Sequence, residues 1–118
     1  MVKNKSKSYI PRKGDLIWIN FNPTSGVEQK GLRPALVVSE MAFNDKVGMA
    51  FCCPVTNTVR GGPFEVLVPK KSGVSGVILT DQIRSIDWRA REARFISSAS
   101  INVMNDVVDR LAAILGIS

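Results

Sequence analysis

The 118-residue chain contains no histidine. That absence rules out a Ser-His-Asp triad and a histidine acid–base pair, and it leaves a zinc site nothing but thiolates and carboxylates. Cysteine is almost missing as well, with only Cys52 and Cys53, side by side. Neighbours in a strand point to opposite faces and bridge each other only with severe strain, so the pair reads as buried packing residues in a reduced chain. No apolar run approaches the roughly 18 residues that a membrane-spanning helix needs. The first 13 residues, MVKNKSKSYIPRK, are basic but lack a hydrophobic middle, so no secretion signal is expected and the cytoplasm is the expected location. There is no GxxxxGKS/T loop and no GxGxxG after a strand, and the carboxylates do not cluster as a two-metal nuclease requires. The chemistry left open is that of a site without metal or cofactor, built from Arg, Thr and Asp or Glu.

The excess of positive charge is local. Lys3, Lys5, Lys7, Arg12 and Lys13 lie in the first 13 residues, where there is no acid, and the remainder holds 11 basic and 10 acidic residues. The body is therefore nearly neutral, and residues 1–13 read as a flexible basic arm ahead of one domain spanning 14–118. Charge alone argues only weakly for nucleic acid.

Along the body, apolar residues alternate or run in strand-length blocks. Asp15 to Asn22 alternates, with Ile17, Ile19 and Phe21 on one face and Leu16, Trp18, Asn20 and Asn22 on the other. Pro34 to Ser39 is continuously apolar and reads as a buried central strand. Glu40 to Asn44 has the makings of one helical turn. Gly48 to Thr56 is a further strand whose Pro54 points to a bulge or edge, and the Arg60–Gly62 turn predicts a hairpin onto Pro63–Pro69. Lys70 to Gly76 is a loop, Gly76 to Asp87 one or two strands, and Arg89 to Ser97 a last short one. Ser98 or Ser100 then caps a helix whose stripe is Ile101, Met104, Val107, Val108, Leu111 and Leu115, ended by Gly116. Six or seven short strands and one amphipathic helix predict a mainly β fold: a small, strongly curved antiparallel sheet or half-open barrel.

The stretch Gly26 to Pro34, GVEQKGLRP, is the candidate functional loop. Its glycines permit an arched backbone, and Pro34 holds Arg33 extended at the lip of a strand. Taken with CPVT at Cys53–Thr56, LTDQIRSID at Leu79–Asp87 and GDLIWINFNPTSG at Gly14–Gly26, it closely resembles the MazF/PemK toxin endoribonucleases of bacterial toxin–antitoxin pairs. The resemblance implies an SH3-like barrel with a C-terminal helix and a homodimer. It also implies metal-free cleavage of single-stranded RNA by the ribose 2′-hydroxyl, and neutralisation by an antitoxin with an acidic, extended segment. It assigns catalysis to Arg33 and Thr56, and matches the family's two acid–amide pairs to Glu28–Gln29 and Asp81–Gln82. Val27 and Leu79 stand where relatives carry other residues, which favours the Arg33–Thr56 version of the mechanism.

Physical chemistry supports those roles. A planar cation stabilises charge growing on a phosphate under attack, and a guanidinium is too basic to take the proton itself. Thr56 orients the phosphate or the nucleophile, and Glu28 and Asp81 are both suited to accept the proton. Gln29, Lys30, Gln82, Asn44 and Arg84 are candidate RNA contacts, with Gln82 and Asn44 suited to base edges, and Trp18 or Phe21 to stacking on unpaired bases. The rival readings are a non-catalytic barrel toxin acting on DNA gyrase and a plain RNA-binding module.

Overall fold

The structure is a computed structural model that describes residues 9–20 and 31–117. Within them one curved, antiparallel sheet is built from β1 (Asp15–Asn20), β2 (Leu32–Val37), β3 (Ala50–Thr56), β4 (Glu65–Leu67), β5 (Val77–Leu79), β6 (Arg84–Ile86) and β7 (Arg94–Ser98). The strand order is β4-β5-β3-β2-β1-β7, with β6 paired to the start of β3. Helices α1 (Met41–Val47) and α2 (Ile101–Leu115) accompany it among the described residues.

The central strands are apolar without alternation because both faces of the sheet are covered. Leu16, Leu36, Cys53 and Val55 face one core, shared with Val66, Ile78 and the α2 residues Val103, Met104 and Val107. Ile17, Ile19, Ala35, Val37 and Cys52 face a second, closed by Ile86 and Trp88. Cys52 and Cys53 thus point to opposite cores, and both thiols are free. Burial pushes each thiol up to about 12, with the neighbouring Cys53 adding to the effect on Cys52 and Asp81 adding to that on Cys53.

Several expectations are corrected. The strand ending at Thr56 does not form a hairpin with β4: β5 lies between them, pairing Val55 with Ile78 on one side and Val66 with Ile78 on the other. Val77 and Ile78 are buried, whereas Leu67 is 68% exposed, so the more apolar strand takes the inner position and β4 becomes the edge. Pro54 sits at neither bulge nor edge. It lies where β3 leaves β6 after Cys52 and takes up β5 at Val55, a gap in the ladder on that side. Gly76–Asp87 is split by a 3-10 turn, Thr80–Gln82, and the Glu40–Asn44 turn extends to Val47 before Gly48 ends it in the left-handed region.

On α2 the cap is Ser100, which accepts from the Val103 N–H, and Gly116 closes the helix. Its buried stripe is Val103, Met104 and Val107, while Ile101, Val108 and Leu115 are exposed. The packed chain also begins before Gly14. Pro11 is buried, its carbonyl accepts from the Asn44 amide at 2.8 Å, and the Tyr9 hydroxyl donates to Asp15. No helix among the described residues is long and apolar enough to cross a membrane.

Candidate active site

Arg33 and Thr56 reach one place because of where a ladder stops. β2 and β3 pair Val37 with Cys52, Leu36 with Cys53 and Ala35 with Pro54. Carried two residues further, that register would set Arg33 directly across from Thr56. The ladder ends at Pro54, the strands part, and both residues line the resulting open cleft of about 730 Å³. On the other side β2 stays paired to β1, which brings Trp18, paired to Pro34 and 37% exposed, to the same cleft.

The third wall comes from the β4–β5 connection. Lys70, Gly73, Val74 and Ser75 line the cleft with Asn57 and Thr58 from the end of β3. The described lining therefore carries two cations, Arg33 and Lys70, and no carboxylate, so it favours an anion. The Thr56 hydroxyl accepts from the Thr58 N–H at 3.2 Å, which leaves its proton to donate. Its carbonyl is fixed from behind by Gly76, at φ +113°, where a Cβ would stand 2.0 Å from that oxygen. Only glycine lets β5 lie so close.

Thr56 and Thr58 also line a second cavity of about 420 Å³, with Arg60, Phe64, Glu65, Asp81 and Gln82. Thr80 sets this side: it is buried, and both its N–H (3.2 Å) and its hydroxyl (2.6 Å) donate to the Phe64 carbonyl, pinning the turn that presents Asp81 and Gln82. The Glu65 carboxylate is engaged by the backbone N–H groups of Gly61 (2.9 Å) and Arg60 (3.2 Å). Asp81 is exposed.

The sequence-based candidates thus separate. Arg33, Thr56 and Trp18 share the first cleft, and Asp81 and Gln82 share the second cavity with Thr56. Arg84 lines neither, since it pairs with Cys52 at the far end of β3. Asn44 is a correction: it is fully buried, its amide donates to the Pro11 and Ser39 carbonyls and its side-chain oxygen accepts from Ser39, so nothing remains to read a base. Phe21, Val27, Glu28, Gln29 and Lys30 lie outside the described residues. Lys70, Asn57, Thr58 and Ser75 escape the sequence reading because a polar loop gives no sign of which strand ends it will join.

Among the described residues no three His, Cys, Asp or Glu side chains gather as a metal site. Fold and site define a small curved β-barrel protein with an anion-favouring cleft where its two central strands part.

Known proteins narrow that class. Residues 12–115 match the PemK-like, MazF-like toxins of type II toxin–antitoxin systems, and the chain belongs to that family. It is 51% identical over 85 residues to the endoribonuclease toxin MazF of Escherichia coli strain K12, covering 72% of this chain and 76% of that one. To the Escherichia coli endoribonuclease PemK it is 36% identical over 118 residues, covering 90% of this chain and 86% of that one. In three dimensions it is similar to MazF in a MazE–MazF crystal structure (Form III) from Deinococcus radiodurans. The TM-score is 0.86 at 45% identity, covering 93% of this chain and all (100%) of that one.

Proposed function

We propose that this chain is an endoribonuclease toxin that cuts single-stranded RNA within a short preferred sequence, without metal. The observation that carries the reading is the meeting of Arg33 and Thr56 in one cleft whose described lining has cations and hydroxyls but no carboxylate. A phosphate seated there has its equatorial oxygens facing the guanidinium and its orientation set by the Thr56 hydroxyl. The 2′-oxygen bonds to phosphorus, the bond to the 5′-oxygen breaks, the 2′-proton passes to a carboxylate, and the leaving oxygen is protonated. The products are a 2′,3′-cyclic phosphate and a 5′-hydroxyl. Of the carboxylates in the cavity beside Thr56, Glu65 is held by backbone amides, which favours Asp81 as acceptor; Glu28 is the alternative. Gln82 in that cavity and Trp18 in the cleft are suited to hydrogen-bond and stack on flanking bases.

A homodimer in the cytoplasm, neutralised by an antitoxin whose acidic extended segment fills the cationic cleft, completes the reading. Exposed apolar side chains on α2 and around the stacked pair Phe43 and Phe51 (5.8 Å) support a partner surface.

The test is RNA cleavage by purified protein in EDTA. The expected result is 5′-hydroxyl ends, none from a substrate with a 2′-deoxy sugar at the cut position, and a loss of about 10²–10³-fold in kcat for Arg33→Ala. Intact RNA with inhibited DNA gyrase would instead select the non-catalytic toxin.

A further inference from the structure

We propose that Lys70 is a second phosphate contact, holding a backbone phosphate next to the one being cut. This rests on the endoribonuclease reading and assigns the cleft a residue that loop composition did not single out. Lys70 lines the same cleft as Arg33 and Thr56, and no described carboxylate lies in that lining to pair with either cation. An ammonium on a cleft whose described lining holds no acid attracts a phosphate as a point charge.

The loop that carries it is built to stay in place. Lys70 opens a 3-10 turn, Lys70–Ser72, closed by Gly73 at φ +92°, whose N–H donates to the Lys70 carbonyl at 3.3 Å. The Ser72 N–H donates to the Pro69 carbonyl at 3.0 Å, and the Ser97 hydroxyl of β7 to the Ser72 carbonyl at 2.5 Å. At the far end the Ser75 hydroxyl donates to the Asn57 side chain at 2.9 Å, one residue beyond Thr56, and Gly76 lies against the Thr56 carbonyl. These hydrogen bonds and the glycine packing fix the base of Lys70 relative to Thr56. A single-stranded RNA offers phosphates on both sides of the scissile one, and a cation presented this way sets the register of the strand without joining the chemistry.

The neighbouring Lys71 supplies the control. It carries the same charge but lines a separate cavity of about 210 Å³ with Leu16, Val68 and Ser97.

Lys70→Ala and Lys71→Ala are compared with the unaltered chain on a single-stranded RNA oligonucleotide with one cut site, at several salt concentrations. Lys70→Ala is expected to raise KM about tenfold at low salt with kcat within about twofold. It should also make the log–log salt slope shallower by about 0.7, one phosphate contact on a single strand. Lys71→Ala should behave as the unaltered chain. Equal behaviour of the two variants, or a fall in kcat with KM unchanged for Lys70→Ala, overturns the proposal. Should the unaltered chain fail to cut RNA at all, the endoribonuclease reading falls. The same comparison of Kd and salt slope for a single-stranded oligonucleotide then still decides the Lys70 contact.

Discussion

Gly76→Ala is the sharpest probe of how the cleft is held together. A methyl group added there would lie 2.0 Å from the Thr56 carbonyl oxygen, 2.7 Å from its carbon and 3.1 Å from the Asn57 Cα. Ordinary contact needs well over 3 Å, about 1 Å or more beyond what the gap provides, and each obstacle is backbone, which has no rotamer to yield. The φ of +113° adds strain of its own. β5 holds β3 through two pairs, Val55–Ile78 and Thr56–Val77, and the methyl group must pry open the second. Overpacking of about 1–3 kcal/mol and backbone strain of about 1–3 kcal/mol together give a loss of about 4 kcal/mol, a large share of the roughly 5–15 kcal/mol a domain has. A displacement of Thr56 by about 1 Å should also cost about 10²-fold in kcat. Gly48→Ala is the matched control: φ is +80°, and nothing lies within 4 Å, so strain alone of about 1 kcal/mol is expected. Urea denaturation of both variants, with RNA cleavage under folding conditions, measures the difference. Equal losses of stability for Gly76→Ala and Gly48→Ala would refute the claim that this close approach positions Thr56.

Other expectations are independent of that glycine. Asn44→Ala should lose about 3 kcal/mol by denaturation, since it removes the buried amide that the Pro11 carbonyl accepts from and the acceptor of the Ser39 hydroxyl, and the sequence of the cut sites should not change. Thr80→Val removes one of two bonds to the Phe64 carbonyl at nearly constant volume. It should cost about 1 kcal/mol while loosening the turn that presents Asp81 and Gln82, visible as relaxed cut-site preference. Burial raises both thiols from 9.0 to about 12, so the folded state keeps protons that the unfolded chain releases from about pH 9 upward. The stability they contribute is complete below pH 9 and is lost as pH rises toward 12; Tyr9, raised chiefly by burial, acts in the same sense. Denaturation midpoints that stay flat between pH 8 and about pH 11 would contradict this assignment of buried thiols.

Local chemistry explains what was readable from the chain. The continuous apolar run at Pro34–Ser39 announced a buried central strand and Gly48–Thr56 a further strand, and Ser100 and Gly116 marked the ends of α2 through caps that need only nearby residues. Arg33 drew notice because Pro34 restricts its backbone, whereas Thr56 was singled out only through the resemblance to the MazF/PemK toxins; the structure lines one cleft with both. Sheet order was not, because periodicity says which residues are apolar and not which edge they seek; β5 displaced β4 from β3 on the strength of long-range burial. Asn44 misled for a related reason. An amide in a short helix looks free to bind until Pro11, 33 residues earlier in the chain, is seen to use it. Lys70 was hidden because its position in the cleft depends on a turn stapled to β7 by Ser97.

The most direct measurement is a crystal structure of the chain with a single-stranded RNA made uncleavable by a 2′-deoxy sugar at the cut position. The expected result is the phosphate at that position within hydrogen-bond distance of both the Arg33 guanidinium and the Thr56 hydroxyl. Nucleic acid seated elsewhere, with the cleft between β2 and β3 empty, would contradict it.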